Sequence, residues 1–140
     1  MKKILVAHDG SKASDKALKK AIEFAVKFQS SLSVLAVVPE LYLTELSDAE
    51  RRRINESITR ETNAAMERIR TSVSGKTHVE VKTIVRQGPV QDIIIETATK
   101  MKADLLVVGS HGRHGARKFL LGSVSARVVD HAPCPVLVVK

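Results

Sequence analysis

Lys3-Ile4-Leu5-Val6-Ala7-His8-Asp9-Gly10-Ser11 is a short apolar run that stops at a turn, and the stretch behind it changes hydrophobic period. Residues 12–28 place Ala13, Ala17, Leu18, Ala21, Ile22, Ala25 and Phe28 at helical spacing, with lysines opposite. Gly10 suits the turn, and the Ser11 hydroxyl is placed to cap the helix. A strand feeding an amphipathic helix is the unit predicted, and one face of that helix has to pack on a sheet.

The unit recurs outward along the chain. Ser31 to Val38 reads as a second strand, ended by Pro39, and Glu40 to Leu46 forms the longest irregular connection. Ser47-Asp48-Ala49-Glu50 has the spacing of a capping box and opens a long helix to about Ser74, with Gly75 as its stop. Its apolar stripe of Ile54, Ile58, Ala65, Ile69 and Val73 is thin, which predicts the most exposed helix of the chain. His78 to Val85 alternates as a third strand, and Gly88-Pro89 opens a third helix whose inner face is Val90, Ile93, Ile94, Thr97, Ala98 and Met101. Ala103 to Val108 and Val136 to Val139 are the fourth and fifth strands, with residues 122–132 helical between them. Strands alternating with helices predict a doubly wound α/β fold, a parallel sheet with helices on both faces. Ligands of such sheets bind beyond the carboxyl ends of the strands, so the loops after strands one, two and four are the candidate site.

Bulk properties agree. A chain of 140 residues, 44% hydrophobic and 27% charged, suits a single domain spanning residues 1–140 with one core. With 3% aromatic residues and no Trp, that core has to be built from Val, Ile, Leu and Ala, as parallel strands covered on both faces are. No signal-peptide pattern precedes Ile4, and no apolar run approaches the roughly 18 residues that span a bilayer, so a cytoplasmic protein is expected. The single Cys134, set between Pro133 and Pro135, reads as a small buried thiol at a strand start. The net charge of +8 raises the possibility of nucleic-acid binding. Against it, the basic residues of the helices are interleaved with acids, as on solvated faces, and no aromatic residues accompany them to stack on bases.

The chemistry is concentrated in Gly109-Ser110-His111-Gly112-Arg113-His114-Gly115-Ala116-Arg117-Lys118-Phe119-Leu120-Leu121-Gly122-Ser123-Val124-Ser125. Glycines let backbone N–H groups approach an anion closely, and a helix beginning near Gly122-Ser123 aims its free N–H groups and positive dipole end at a phosphate. The loop has neither the dinucleotide fingerprint G-x-G-x-x-G nor a Walker A pattern. It reads Gly-x2-Gly-x9-Gly followed by Ser, and this pattern resembles the nucleotide signature of the ATP-binding universal stress proteins. The opening Lys3 to Ser11, the stretch Ala103 to Gly112 and the closing Cys134-Pro135-Val136-Leu137-Val138-Val139 resemble that family as well.

The resemblance implies a five-stranded parallel sheet of order 3-2-1-4-5, ATP bound across the carboxyl edge with Mg²⁺ or Mn²⁺ held through the phosphates, and a homodimer joined through the C-terminal strand. Carried over by position, Asp9 faces the ribose or a phosphate-bound metal; as a residue before Gly10 it is equally a turn aspartate bonding its own backbone. Val37 matches the position whose backbone reads the adenine and Val108 lines the same pocket, with core packing an equal account of both. Gly109, Gly112, Gly122, Ser123 and Ser125 match phosphate-contacting positions, with Val124 offering an N–H. Arg113 neutralises phosphate charge or is plain surface, as are Arg117 and Lys118. His8 stands where it can touch a ligand, while His111 and His114 lack the further ligands of a zinc site.

Phosphoryl-transfer catalysis needs a positioned base and dedicated metal carboxylates, and Asp9 is the one acid near this loop. The resemblance therefore implies a nucleotide-dependent regulator or stress-survival factor with at most slow ATP hydrolysis. Two other classes stay open: a nucleotide-independent dimeric interaction module, and a basic nucleic-acid-binding protein.

Overall fold

The computed structural model describes residues 1–111 and 121–140. Five strands alternate with four helices: β1 Lys3–Ala7, α1 Lys12–Phe28, β2 Ser31–Val38, α2 Asp48–Lys76, β3 Val81–Gln87, α3 Val90–Met101, β4 Leu105–Gly109, α4 Ser123–His131 and β5 Val136–Val139. All four strand pairings are parallel, and the sheet order is β3-β2-β1-β4-β5, as the resemblance implies. The chain winds outward from β1 to β3 and then returns to build β4 and β5 on the other side. The order therefore reverses between β1 and β4, which makes their carboxyl ends the crevice of the fold.

Two apolar layers flank the sheet. Ile4, Val6, Leu32, Val34, Ala36, Leu105 and Val107 face Ala17, Ala21 and Ala25 of α1 and Met66 of α2. Leu5, Leu35, Leu106 and Val108 face Ile93, Ile94 and Ala98 of α3 and Val128 of α4. Alternate residues of each central strand thus enter opposite layers, as a two-residue period requires. Small alanines let α1 lie close on the strands. At Gly109 a Cβ would come within 2.9 Å of the Ala13 backbone carbon.

The predicted caps form. Ser11 Oγ accepts from Ser14 N–H at 3.1 Å. At α2, Glu50 N–H donates to Ser47 Oγ at 3.2 Å and Ser47 N–H to Glu50 Oε2 at 2.8 Å, the reciprocal pair of a capping box. Gly75 does not stop α2, which runs on to Lys76 with Thr77 as its C-cap. The penultimate position tolerates glycine, and Thr77 secures the end by donating both its N–H and its hydroxyl to the Val73 carbonyl. The thin stripe of α2 has its expected result, since Met66 and Val73 are its only buried residues. Met66 is absent from the predicted stripe, and β3 begins at Val81 rather than His78. Its alternating residues are all half-buried or exposed, so burial could not sharpen that boundary.

The amino edge of the sheet is tied by Asp104, whose Oδ2 accepts from Lys2 N–H at 2.8 Å and Lys3 N–H at 2.9 Å. These backbone bonds hold its carboxyl below the ordinary value of 3.8. A carboxyl depressed by folding stabilises the folded chain above that ordinary value and loses the effect as pH falls through it and below. Asp104→Asn is accordingly expected to lower Tm at neutral pH and to leave a flatter acid limb below about pH 4 in melts recorded across pH; an unaltered limb would show that the bonds carry no linkage. Cys134 is half-buried at the entrance to β5, and burial pushes its thiol up, so it stays protonated and unreactive near neutral pH.

Candidate functional site

Parallel register places the carboxyl ends of β2, β1 and β4 side by side. Ala7 pairs with Leu35 and Val6 with Val107; continued by two and three residues, the ladders bring Val37, Asp9 and Ser110 to one level. The predicted loops after strands one, two and four thus meet at one edge.

The β1 loop is a built turn. Gly10 holds φ at 83°, a conformation that costs a glycine little and a side-chain-bearing residue of order 1 kcal/mol. Asp9 Oδ1 accepts from Ser11 N–H at 2.9 Å, so the aspartate does bond its own turn. Ser14 Oγ accepts from Asp9 N–H at 3.3 Å and donates to the Ser11 carbonyl at 2.9 Å. His8 is buried beneath this turn. Its Nδ1 accepts from Gly10 N–H at 3.3 Å, which leaves the proton on Nε2 to bond Asp15 Oδ1 at 2.7 Å. Both ring nitrogens are spent on holding the turn to the first turn of α1, and the ring is a positioning group rather than one open to a ligand. Ser14 and Asp15 were not singled out from sequence; their signal was their place three and four residues past the Ser11 cap.

The β4 side is equally organised. Ser110 N–H donates to the Val139 carbonyl at 2.8 Å, and Gly122 N–H donates to the Ser110 carbonyl at 2.9 Å, closing the two ends of the loop on each other. Ser125 is buried and donates its hydroxyl proton to the Gly109 carbonyl at 2.6 Å, so towards the crevice it offers its N–H rather than a hydroxyl donor. Ser110, also buried, meets His111 Nδ1 at 2.9 Å and pins the start of the loop; it too escaped notice in the sequence.

The start of α4 differs from the starts of α1 and α2. Its N-cap is Gly122, which has no side chain with which to occupy the free N–H groups. Among the described residues, Ser123, Val124 and Ser125 N–H have no acceptor, while Ala126 N–H is the first to bond back, to the Gly122 carbonyl. Three donors and the positive end of a helix dipole therefore stand behind the reversal point between β1 and β4. α3, opened by Pro89, also lacks a side-chain cap, but it follows the edge strand β3.

Val37 is half-buried at the end of β2, and Val108 is buried in the α3 and α4 layer. The Val108 side chain is thus used for packing, and only its backbone is at the edge. Gly112 and Arg113, with His114, Arg117 and Lys118, lie outside the described residues. Among the described residues no three His, Cys, Asp or Glu side chains gather as a metal centre, and no helix is long and apolar enough to cross a membrane.

A doubly wound α/β sheet with an uncapped helix start at its reversal point presents backbone donors where ligands of such folds bind. Comparison with known proteins narrows this. The universal stress protein family model matches residues 1–140. The universal stress protein MJ0531 of Methanocaldococcus jannaschii is 36% identical over 140 residues, covering 99% of this chain and 82% of its own. The solved universal stress protein UspA from Lactobacillus plantarum superposes with a TM-score of 0.91 at 29% identity, covering 99% and 97% of the two chains. A universal stress protein solved in complex with cAMP matches with a TM-score of 0.67 at 27% identity over 99% and 96%. The chain belongs to the universal stress protein family.

Proposed function

We propose that this chain, acting as one domain over residues 1–140, binds ATP at the carboxyl edge of its sheet and serves as a nucleotide-dependent regulator or stress-survival factor in the cytoplasm. The observation that carries the reading is the start of α4: a glycine cap followed by the unclaimed N–H groups of Ser123, Val124 and Ser125, at the one place where the strand order reverses. Oriented backbone donors at a helix start hold anionic oxygens without any side chain. In this reading Gly109 and Gly122 belong to the phosphate site, as Gly112 and Arg113, outside the described residues, do by family resemblance, while the Val37 backbone and the end of Val108 meet the adenine and Asp9 the ribose. The relative solved with cAMP supports an adenine nucleotide as the ligand class.

Mg²⁺ or Mn²⁺ fits as a companion of the phosphates. Asp9 is a hard oxygen donor at the right edge, and a small divalent ion commonly takes one or two carboxylates, phosphate oxygens and water. Among the described residues no three His, Cys, Asp or Glu side chains gather around Asp9, and the neighbouring His8 and Asp15 are bonded to each other, so the proposed role is to hold a triphosphate with at most slow cleavage. Calorimetry with millimolar ATP tests the reading; absence of heat, with no nucleotide carried through purification, would overturn it.

Assembly as a homodimer through β5 rests on a separate observation. Val136–Val139 is an edge strand, and each of its four aliphatic residues is half-exposed, whereas those of β4 are mostly buried. An apolar edge of this kind is a template for pairing. Sedimentation at micromolar protein is expected to give twice the chain mass, and a concentration-independent monomer would rule the assembly out.

A further inference from the structure

α2 is longer than the strand it covers. At about 1.5 Å per residue its 29 residues span about 43 Å, against about 23 Å for the 7 residues of β3 at about 3.3 Å each. Its two buried residues, Met66 and Val73, lie in the second half, and the first half borders a groove beside Gln87 at the carboxyl end of β3. Asn55, Thr59, Met66 and Val73 follow one another at intervals of four and seven residues and therefore share one helix face. That face is apolar in the second half and polar in the first. The groove is open, about 880 Å³, and its walls include Arg52, Asn55, Thr59, Arg60, Asn63 and Gln87.

We propose that this groove binds an extended, acidic peptide segment of a partner protein. The proposal does not depend on the nucleotide site. Asn55, Asn63 and Gln87 carry primary carboxamides, each a donor and an acceptor on one planar group, which is the complement of a main-chain peptide unit. Among the described residues, the side chains of Thr59, Asn63 and Gln87 make no hydrogen bond, and Asn55 Oδ1 is shut off from solvent with no donor. A buried carbonyl left so is unfavourable, and turning the carboxamide toward the groove brings it to a peptide N–H. Spacing agrees with an extended chain. Asn55, Thr59 and Asn63 succeed one another by about 6 Å along the helix, close to the roughly 6.7 Å between alternate residues of a strand.

Charge selects the peptide. Arg52 and Arg60 are exposed and form no ion pair among the described residues. Of the two carboxylates bordering the groove, Asp48 is held by Arg51, which leaves Glu56 alone against two free guanidiniums. The open shape excludes the other common occupant, because small-molecule sites enclose most of the ligand surface. Main-chain pairing with charged side chains at the rim is a recurring mode of peptide capture.

The test is a titration of ¹⁵N-labelled protein with two synthetic peptides of equal length, one alternating Glu and Ser, the other Gln and Ser. The side-chain NH₂ signals of Asn55, Asn63 and Gln87 are expected to move saturably with the Glu/Ser peptide and at least about tenfold more weakly with the neutral one. The double variant Arg52→Gln, Arg60→Gln changes two exposed side chains, so its backbone spectrum should keep its dispersion while Glu/Ser binding weakens by about tenfold. Immobile NH₂ signals, equal binding of the two peptides, or undiminished binding by the double variant would overturn the proposal. So would inorganic phosphate moving the same signals at equal concentration.

Discussion

ATP with Mg²⁺ is expected to raise the melting temperature saturably, and Gly122→Leu to abolish the rise. A ligand bound to the folded chain alone stabilises it by about 2.7 kcal/mol at a hundredfold excess over Kd, and for a chain of this size that corresponds to roughly 6 to 12 °C. Gly122 sits at φ −60° and ψ 158°, an extended conformation open to any residue. A leucine there therefore adds bulk at the mouth of the proposed phosphate site without backbone strain, and the variant's own melting temperature in the absence of nucleotide should stay within a few degrees of the parent. Thermal melts with and without nucleotide read both effects. An unchanged ATP shift in Gly122→Leu would show that the phosphates lie elsewhere, even if the protein binds ATP.

Gly109→Ala is expected to fail for a different reason. The added Cβ would meet the Ala13 backbone carbon at 2.9 Å, the Ala13 Cβ at 3.0 Å and the Ala13 carbonyl oxygen at 3.0 Å. Two of those three atoms are main chain, so α1 itself has to retreat from β4, and overpacking of this kind costs about 1–3 kcal/mol. The fall in Tm, roughly 3 to 10 °C, should appear without nucleotide. Ala13→Gly should not rescue it, since it removes the Cβ contact and leaves both backbone contacts. Denaturant melts of the two single variants and the double variant decide the matter; full rescue would place the clash in the Ala13 side chain. Two of the motif's three glycines, Gly109 and Gly122, are thereby separable. Gly109 is needed where α1 comes close to β4, whereas Gly122→Leu tests the proposed ligand site.

The site was partly legible for the same reason. The glycine spacing, the Ser11 and Ser47 caps and the Asp9 turn are local, readable because their partners lie within a few residues. Ser110, Ser125 and the His8–Asp15 contact were not read, or were read in another role. The bond from Ser125 to the Gly109 carbonyl spans sixteen residues of chain, and a hydroxyl spent there is indistinguishable in sequence from one free for a ligand.

What the sequence by itself determined is the alternation of strands and helices, because hydrophobic period is a property of neighbouring residues. With it came the parallel sheet, the two-sided cover and the edge on which ligands collect. Periodicity is silent on strand order, since any permutation of the strands has the same local pattern; the order β3-β2-β1-β4-β5 was anticipated through family resemblance and is set by which crossovers pack. Only the tertiary structure decided that Met66 belongs to the core, that Gly109 is needed where Ala13 comes close, and that the first half of α2 has no buried residue. Each depends on how far one element reaches across another, a distance that no stretch of chain carries within itself.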